Sequence, residues 1–231
     1  MDDKNQPYLI PASIIVAGVI IAVAVMYAGG VDFGGKKADT KKQGPEAQAG
    51  EASALLGVVE GDQVLGSPLA PVTFVEFGDF QCPFCGRFYQ TTEKELIEKY
   101  VKTGQVKFIW RDFAFLGQES FDAAVAARCA GEQGKFWEYH NYLFENQREE
   151  NQGTFSVANL KNFALVLNLD ASQFDSCLDS QKYLSAVQKE TELGRQLGVD
   201  GTPSSFVNGA NIAGSLPFAQ FEALIQNALN P

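Results

Sequence analysis

The tightest constraint on how this chain can fold is a change of hydrophobic period over one short stretch. "PVTFVEFGDF", residues 71–80, is a run of β-branched and aromatic residues opened by a proline, the pattern of a buried strand. Immediately after it comes "QCPFCGRFYQ", and Phe88, Tyr89, Thr92, Leu96 and Tyr100 then recur at the spacing of one helical face. Glu95 and Lys99 form a favourable i, i+4 pair on the outer side of that helix. "GQVKFIWRDF" returns to strand. Strand, helix and strand in this order make a β-α-β unit, so the two strands are expected to be parallel with a right-handed crossover. Two cysteines three apart, Cys82 and Cys85, fall at the junction of the first strand and the helix.

Beyond Gln118 the pattern is helical in successive pieces, from "ESFDAAVAARCAGEQ" to "YLSAVQKETELGRQLG", punctuated by Gly and Asp. This reads as a helical insertion at about 118–197. "SSFVNGANIAGS" then gives two short strands joined through an Asn-Gly turn. The last helix carries Phe218, Phe221, Leu224, Ile225 and Ala228 as one apolar stripe, with Pro217 suited to its first turn.

The N-terminus is of another kind. No residue from Asn5 through Val31 is charged, and "YLIPASIIVAGVIIAVAVMY" supplies the roughly 20 apolar residues that a bilayer-spanning helix needs. That is longer than the apolar core of a secretory signal, and Asp2 and Asp3 offset Lys4, so an uncleaved membrane anchor is expected at 1–31. Residues 32–54, rich in Gly, Lys, Ala and Gln, read as a flexible tether, and 55–231 as the folded domain. Lys36, Lys37, Lys41 and Lys42 favour a cytoplasmic domain by the positive-inside rule. Long domains translocate largely regardless of charge, and the thiol chemistry below needs an oxidising compartment, so an extracytoplasmic domain is the expectation. With Lys+Arg 18 against Asp+Glu 28 and a net charge of −10, the chain has the wrong sign to hold nucleic acid.

Cys82 and Cys85 admit three readings. A zinc clip needs four ligands, yet Cys129, Cys177 and His140 show no second metal-ligand spacing, so no metal is expected. A permanent staple across so short a ring removes little unfolded-state entropy. The third reading is a redox-active pair. Unpaired N–H groups at a helix start stabilise a thiolate, which makes Cys82 the attacking sulfur and Cys85 the resolving thiol one turn in. Pro83 costs nothing at a first helical position. Glu76, between Val75 and Phe77 on the buried strand, points toward the core below the cysteines, where desolvation favours its protonated form and suits it to exchange a proton with Cys85. An ordinary edge-strand glutamate is the alternative. Asp79 and Gln81 lie near the pair without an assigned role. In "GVDGTPSSFVNG", Thr202-Pro203 precedes a strand and is a candidate cis peptide beside the cysteines, with the Thr202 hydroxyl near Cys82. His140, among Trp137, Tyr139 and Tyr142, reads as a structural histidine.

"VEFGDFQCPFC", a long helical stretch and "GVDGTPSSFVNG" together resemble the DsbA-like thiol:disulfide oxidoreductases of the thioredoxin superfamily, in their membrane-anchored bacterial branch. The resemblance runs from about Val58 to Pro231. It implies an α/β thioredoxin-like fold, with β-α-β and β-β-α halves around a mixed sheet, a helical insertion and one N-terminal transmembrane helix. It implies Cys82 as nucleophile, Cys85 as resolving thiol, Glu76 as the buried acid and Pro203 as the cis-proline, with Thr202, Pro83 and Phe84 at the substrate. No cofactor is implied beyond the redox-active disulfide. Where the best-known strong oxidases carry Pro-His, this chain has Pro83-Phe84, which removes one source of thiolate stabilisation. The resemblance also suggests a structural disulfide between Cys129 and Cys177, two buried free thiols being the alternative.

The implied function is oxidation of cysteine-containing substrate proteins at the outer face of the cell membrane. The implied partner is a quinone-linked membrane reoxidant of the DsbB or vitamin K epoxide reductase (VKOR) type. Two rivals stand beside it: a reductase or isomerase kept reduced by a membrane donor, and a non-catalytic tethered binding module or chaperone.

Overall fold

The computed structural model describes residues 56–59 and 61–230, so the expected anchor and tether lie outside the described residues. The alternation of small and β-branched residues with aromatics produces a five-stranded mixed sheet in the order β1-β3-β2-β4-β5. Its strands are β1 (Gln63–Leu65), β2 (Val72–Gly78), β3 (Val106–Asp112), β4 (Ser204–Val207) and β5 (Ala210–Ala213). β2 and β3 are parallel, in register from Val72↔Val106 to Gly78↔Asp112, as a β-α-β unit requires. The other pairs are antiparallel. Asn208 and Gly209 both adopt positive φ, 46° and 90°, which closes the β4–β5 hairpin.

Helix α1 joins β2 to β3 and runs without a break through Pro83–Phe88, Tyr89–Glu93, Lys94–Leu96 and Ile97–Val101. Its second and fourth segments are π-turns. These wider turns bury Tyr89, Thr92 and Glu93 together on the inner face. The helices α2 (Gln118–Gly131), α3 (Phe136–Glu145), α4 (Val157–Val166), α5 (Ala171–Asp179) and α6 (Leu184–Gln196) form the insertion, and α7 (Phe218–Leu229) closes the chain. Pro217 takes the N-cap position of α7, one residue earlier than its pattern suggests. Among the described residues no helix is long and apolar enough to cross a membrane.

The period-2 rule sorts β2 onto two cores. Phe74 packs with Phe88 and Leu96 of α1 and with Phe221 and Ile225 of α7. Val75 and Phe77 face the other way, toward Ile109, Phe113, Val199 and Phe206. Helix α6 comes close over this second face because Gly194 has no side chain; a β-carbon there would lie 2.6 Å from the Phe113 ring. Glu76 therefore shares the α1 side with Phe74.

Ion pairs fasten the insertion to the sheet. Arg128 of α2 meets Asp112 at the end of β3 and Glu190 of α6, each at 2.6 Å and largely out of water. Asp112 also accepts the Trp110 indole N–H at 2.9 Å, which holds the ring on the α1 side of the sheet. Gly78 leaves room for that ring, since a β-carbon at 78 would land inside it. A disulfide joins Cys129 on α2 to Cys177 on α5.

Candidate active site

Cys82 is the N-cap residue of α1, in extended conformation with φ −67° and ψ 119°, and Pro83 occupies the first helical turn. Both cysteines are free thiols. Cys82 is 4% exposed and Cys85 is 0% exposed. The Cys82 thiol titrates at about 6, well below its ordinary 9.0. The first cause is the Cys85 thiol, which donates a hydrogen bond to the Cys82 sulfur. Burial opposes the shift, while the Thr202 hydroxyl and the N–H groups of Cys85 and Phe84 reinforce it.

Cys85 goes the other way. Burial pushes its thiol well above the ordinary value, and the hydrogen bond to Cys82 and the charges of Cys82 and Glu76 add to this. The backbone N–H of Asp79 works against them and offers a donor to the Cys85 sulfur when it carries charge. One sulfur is thus ionised near neutrality and the other is held as a thiol.

Loop "TPSS" approaches Cys82 from the far side. The Thr202-Pro203 bond is cis. The Thr202 carbonyl accepts from the Cys82 thiol at 3.3 Å, and the Thr202 hydroxyl, buried without a hydrogen-bond partner, favours the Cys82 thiolate. Thr202 therefore meets Cys82 through two groups, the carbonyl serving the thiol and the hydroxyl the thiolate. Pro83 and Phe84 stand exposed beside the sulfur, and the Arg87 guanidinium lies 5.2 Å from the Phe84 ring centre.

Glu76 is 0% exposed, neither carboxyl oxygen has a hydrogen-bond partner, and its register places it between Trp110 of β3 and Ser205 of β4. Burial first, then the carboxyl of Glu93 and the charge on Cys82, keep it protonated well above its ordinary 4.5. His140 is 0% exposed, and burial lowers its imidazole to about 3, so it is neutral.

Residues without an expected role complete the site. The Asp79 carboxyl accepts from Gln81 N–H at 2.8 Å, Phe115 N–H at 3.0 Å and Leu116 N–H at 3.3 Å, pinning the redox loop to the β3–α2 connection. Gln81 bonds Ser120 and Asn151 at 3.0 Å and 2.7 Å. Gln147, at the end of the α3 connection, donates to the carbonyls of Phe80 at 2.7 Å and Cys82 at 2.9 Å. Only spatial proximity reveals these partners; their separation from the cysteines in sequence carries no signal. Glu93 is different. It stands four residues after Tyr89 and eight after Cys85, so helical spacing alone places it on the buried face. Among the described residues no group of three or more His, Cys, Asp and Glu side chains is placed to hold a metal ion.

A mixed sheet of this order, a C-x-x-C at the start of its crossover helix and a proline loop facing it define a thiol-exchange fold. The thioredoxin family model matches residues 59–227, and the chain belongs to that family. Within it, this is a DsbA-like thiol:disulfide oxidoreductase chain. Disulfide bond formation protein D of Bacillus subtilis is 29% identical over 191 residues, covering 81% of this chain and 84% of that protein. The Na(+)/H(+) antiporter NhaA 1 of Salinispora arenicola is 33% identical over 194 residues, or 78% of this chain, and the chain spans only 28% of that protein's length. The crystal structure of oxidised BdbD from Bacillus subtilis matches with a TM-score of 0.71 at 28% identity, covering 76% of this chain and 97% of that one. Wolbachia pipientis alpha-DsbA1 shares the fold, with a TM-score of 0.70 at 22% identity over 78% of this chain and 96% of its own.

Proposed function

We propose that this chain donates the Cys82–Cys85 disulfide to cysteine-containing substrate proteins outside the cytoplasm. The opposed titration of the two thiols carries the reading. A thiolate stabilised at Cys82 favours the reduced pair, and a stable reduced pair makes its disulfide a good oxidant.

A substrate thiolate attacks Cys82 Sγ, the Cys82–Cys85 bond breaks, and Cys85 leaves with the electron pair. The Asp79 N–H faces that sulfur, and the Glu76 carboxyl supplies its proton. The second substrate thiol, deprotonated, then attacks the substrate sulfur of the mixed disulfide and expels Cys82 as a thiolate. The substrate loses two electrons and the pair gains two. Pro83, Phe84 and the Thr202 backbone flank the sulfur where the substrate chain would lie. The N-terminal apolar segment would hold the domain at the membrane surface, and a quinone-linked membrane protein of the DsbB or VKOR type would restore the disulfide. The Bacillus subtilis relative is a disulfide bond formation protein, and this supports the same direction.

The deciding experiment equilibrates the pair with glutathione and traps its state in cells by acid quench and thiol labelling. A potential between about −120 and −200 mV and an oxidised pair in vivo are expected. A pair fully reduced in cells with a potential near about −270 mV would overturn the oxidase reading in favour of a reductase.

A further inference from the structure

Thiol exchange uses Glu76 and leaves its surroundings without a purpose. Beside Glu76 the fold buries a second carboxyl group and an imidazole, Glu93 of α1 and His140 of α3, both 0% exposed. Neither carboxyl oxygen of Glu93 and neither of Glu76 has a hydrogen-bond partner, and the same holds for His140 Nε2. Polar groups taken out of water without partners are costly, and each one in a native structure calls for a reason. Packing provides none, because an apolar side chain of similar volume would fill the space of Glu93 without that cost.

Position does provide a reason. Cys85, Tyr89 and Glu93 follow one another at i, i+4 and i+8 along the inner face of α1. Glu76 stands opposite this face on β2, in electrostatic range of both Glu93 and the cysteines. Glu93 Oε1 lies 3.9 Å from His140 Nδ1, and the His140 ring is walled by Trp110, Trp137 and Phe144 at 4.7 Å, 5.2 Å and 5.0 Å between centres. Tyr89, Lys94, Trp137 and Asn141, which adjoin Glu93 and His140, line an open groove between α1 and α3. Glu93 thus interacts electrostatically with Glu76 on one side, and its helix neighbours Tyr89 and Lys94 border the groove on the other.

We infer that Glu93 relays protons between Glu76 and solvent in the α1–α3 groove, as a positioning residue that resets Glu76 after each change at Cys85. When Cys85 leaves as a thiolate, it takes the Glu76 proton and Glu76 takes one from Glu93, each across a bridging water because neither carboxyl has a direct partner, and Glu93 recovers its own from solvent. Each transfer breaks one O–H bond and makes one S–H or O–H bond, and no electrons move. Reoxidation of the pair runs the same path outward. The groups facing Glu93 are Glu76 from β2, Tyr89 and Lys94 from α1, and neutral His140 from α3. Glu145 of α3 stands behind them, accepting from Tyr89 at 2.9 Å and lying 3.7 Å from Lys94. Burial raises the carboxyl of Glu93 and the Lys94 charge partly offsets this, so the group holds a proton it can give.

The inference rests on thiol exchange at the cysteine pair, not on the direction of electron flow. The test follows reduction of the Cys82–Cys85 disulfide of the full chain by dithiothreitol over successive turnovers, with oxidised glutathione regenerating the disulfide, across pH, in wild type, E76Q, E93Q, E93D and E76Q/E93Q. E93Q should slow reduction about tenfold on the alkaline side, less than the 10²–10⁴ of a direct general acid, and leave the alkylation pKa of Cys82 in place. E93D should recover most of the rate, and the double variant should be no slower than E76Q alone. Losses that multiply in the double variant, or an E93Q pH profile parallel to wild type, would reduce Glu93 to a core side chain and overturn the relay. Should E93Q fail to fold, Glu93→Met carries the same expectations. A wild-type disulfide that dithiothreitol never reduces would refute the oxidoreductase reading itself, an outcome distinct from failure of the relay.

Discussion

Replacing Cys85 by alanine tests the electrostatics of the pair at its largest contribution. Cys82 titrates at about 6 against an ordinary 9.0, and the Cys85 thiol is the first cause. A hydrogen bond to a charged acceptor is worth about 1.5–3 kcal/mol, and a thiol is a weak donor, so the low end of about 1.5 kcal/mol applies. At 1.36 kcal/mol per pH unit, losing it moves the Cys82 titration to about 7. The thiolate fraction at about pH 6 then falls from about one half to about one tenth, and alkylation by iodoacetamide slows about fivefold there while its alkaline plateau stays unchanged. Cys85→Ser keeps a hydroxyl donor in place and should hold the midpoint near that of the wild type. An alanine variant with an unmoved midpoint, or a serine variant displaced as far as the alanine one, would refute the assignment of Cys85 as the principal donor.

The remaining expectations concern stability. Glu76 has a folded pKa raised above its ordinary 4.5, so the stability it lends is complete below that value and is lost as pH rises through the raised one. In urea unfolding, the advantage of E76Q over wild type should therefore grow from acid to alkaline pH, and parallel pH slopes would contradict the buried, protonated state. The C129A/C177A double variant opens a link between residues 48 apart, which chain entropy values at about 4 kcal/mol. Urea unfolding of the two forms measures it, and a loss under about 1 kcal/mol would show that the insertion coheres without the link.

Where local pattern and tertiary demand coincide, the sequence is transparent. Val72–Gly78 is buried on both faces and reads as a strand; the stripe from Phe88 to Tyr100 is one helix face; Asn208-Gly209 supplies the φ values its turn needs. The positions of Cys82 and Cys85 at the strand-to-helix junction follow from the same change of period. β1 is opaque because three residues, Gln63–Leu65, hold no alternation long enough to register, and only pairing with β3 makes them a strand. The π-turns of α1 leave no compositional trace. Asp79 shows why a site is harder to read than a fold: its carboxyl serves amides 36 and 37 residues away, partners that exist only after the β3–α2 connection has folded beside it. Glu93 was within reach of the spacing, but a carboxylate on an apolar stripe is ordinarily assigned to the solvent side, and here burial wins.

The contact between Gly86 and Gln147 ties the evolutionary fates of two segments together. The glutamine carboxamide occupies the place a β-carbon at 86 would take and reaches past it to the Phe80 and Cys82 carbonyls. A chimera that grafts a foreign insertion onto this sheet must bring its own donor for those two oxygens, or leave the loop carrying the nucleophile untethered. Modular exchange at the α3 boundary is therefore constrained by the redox centre, even though Gln147 never meets a sulfur.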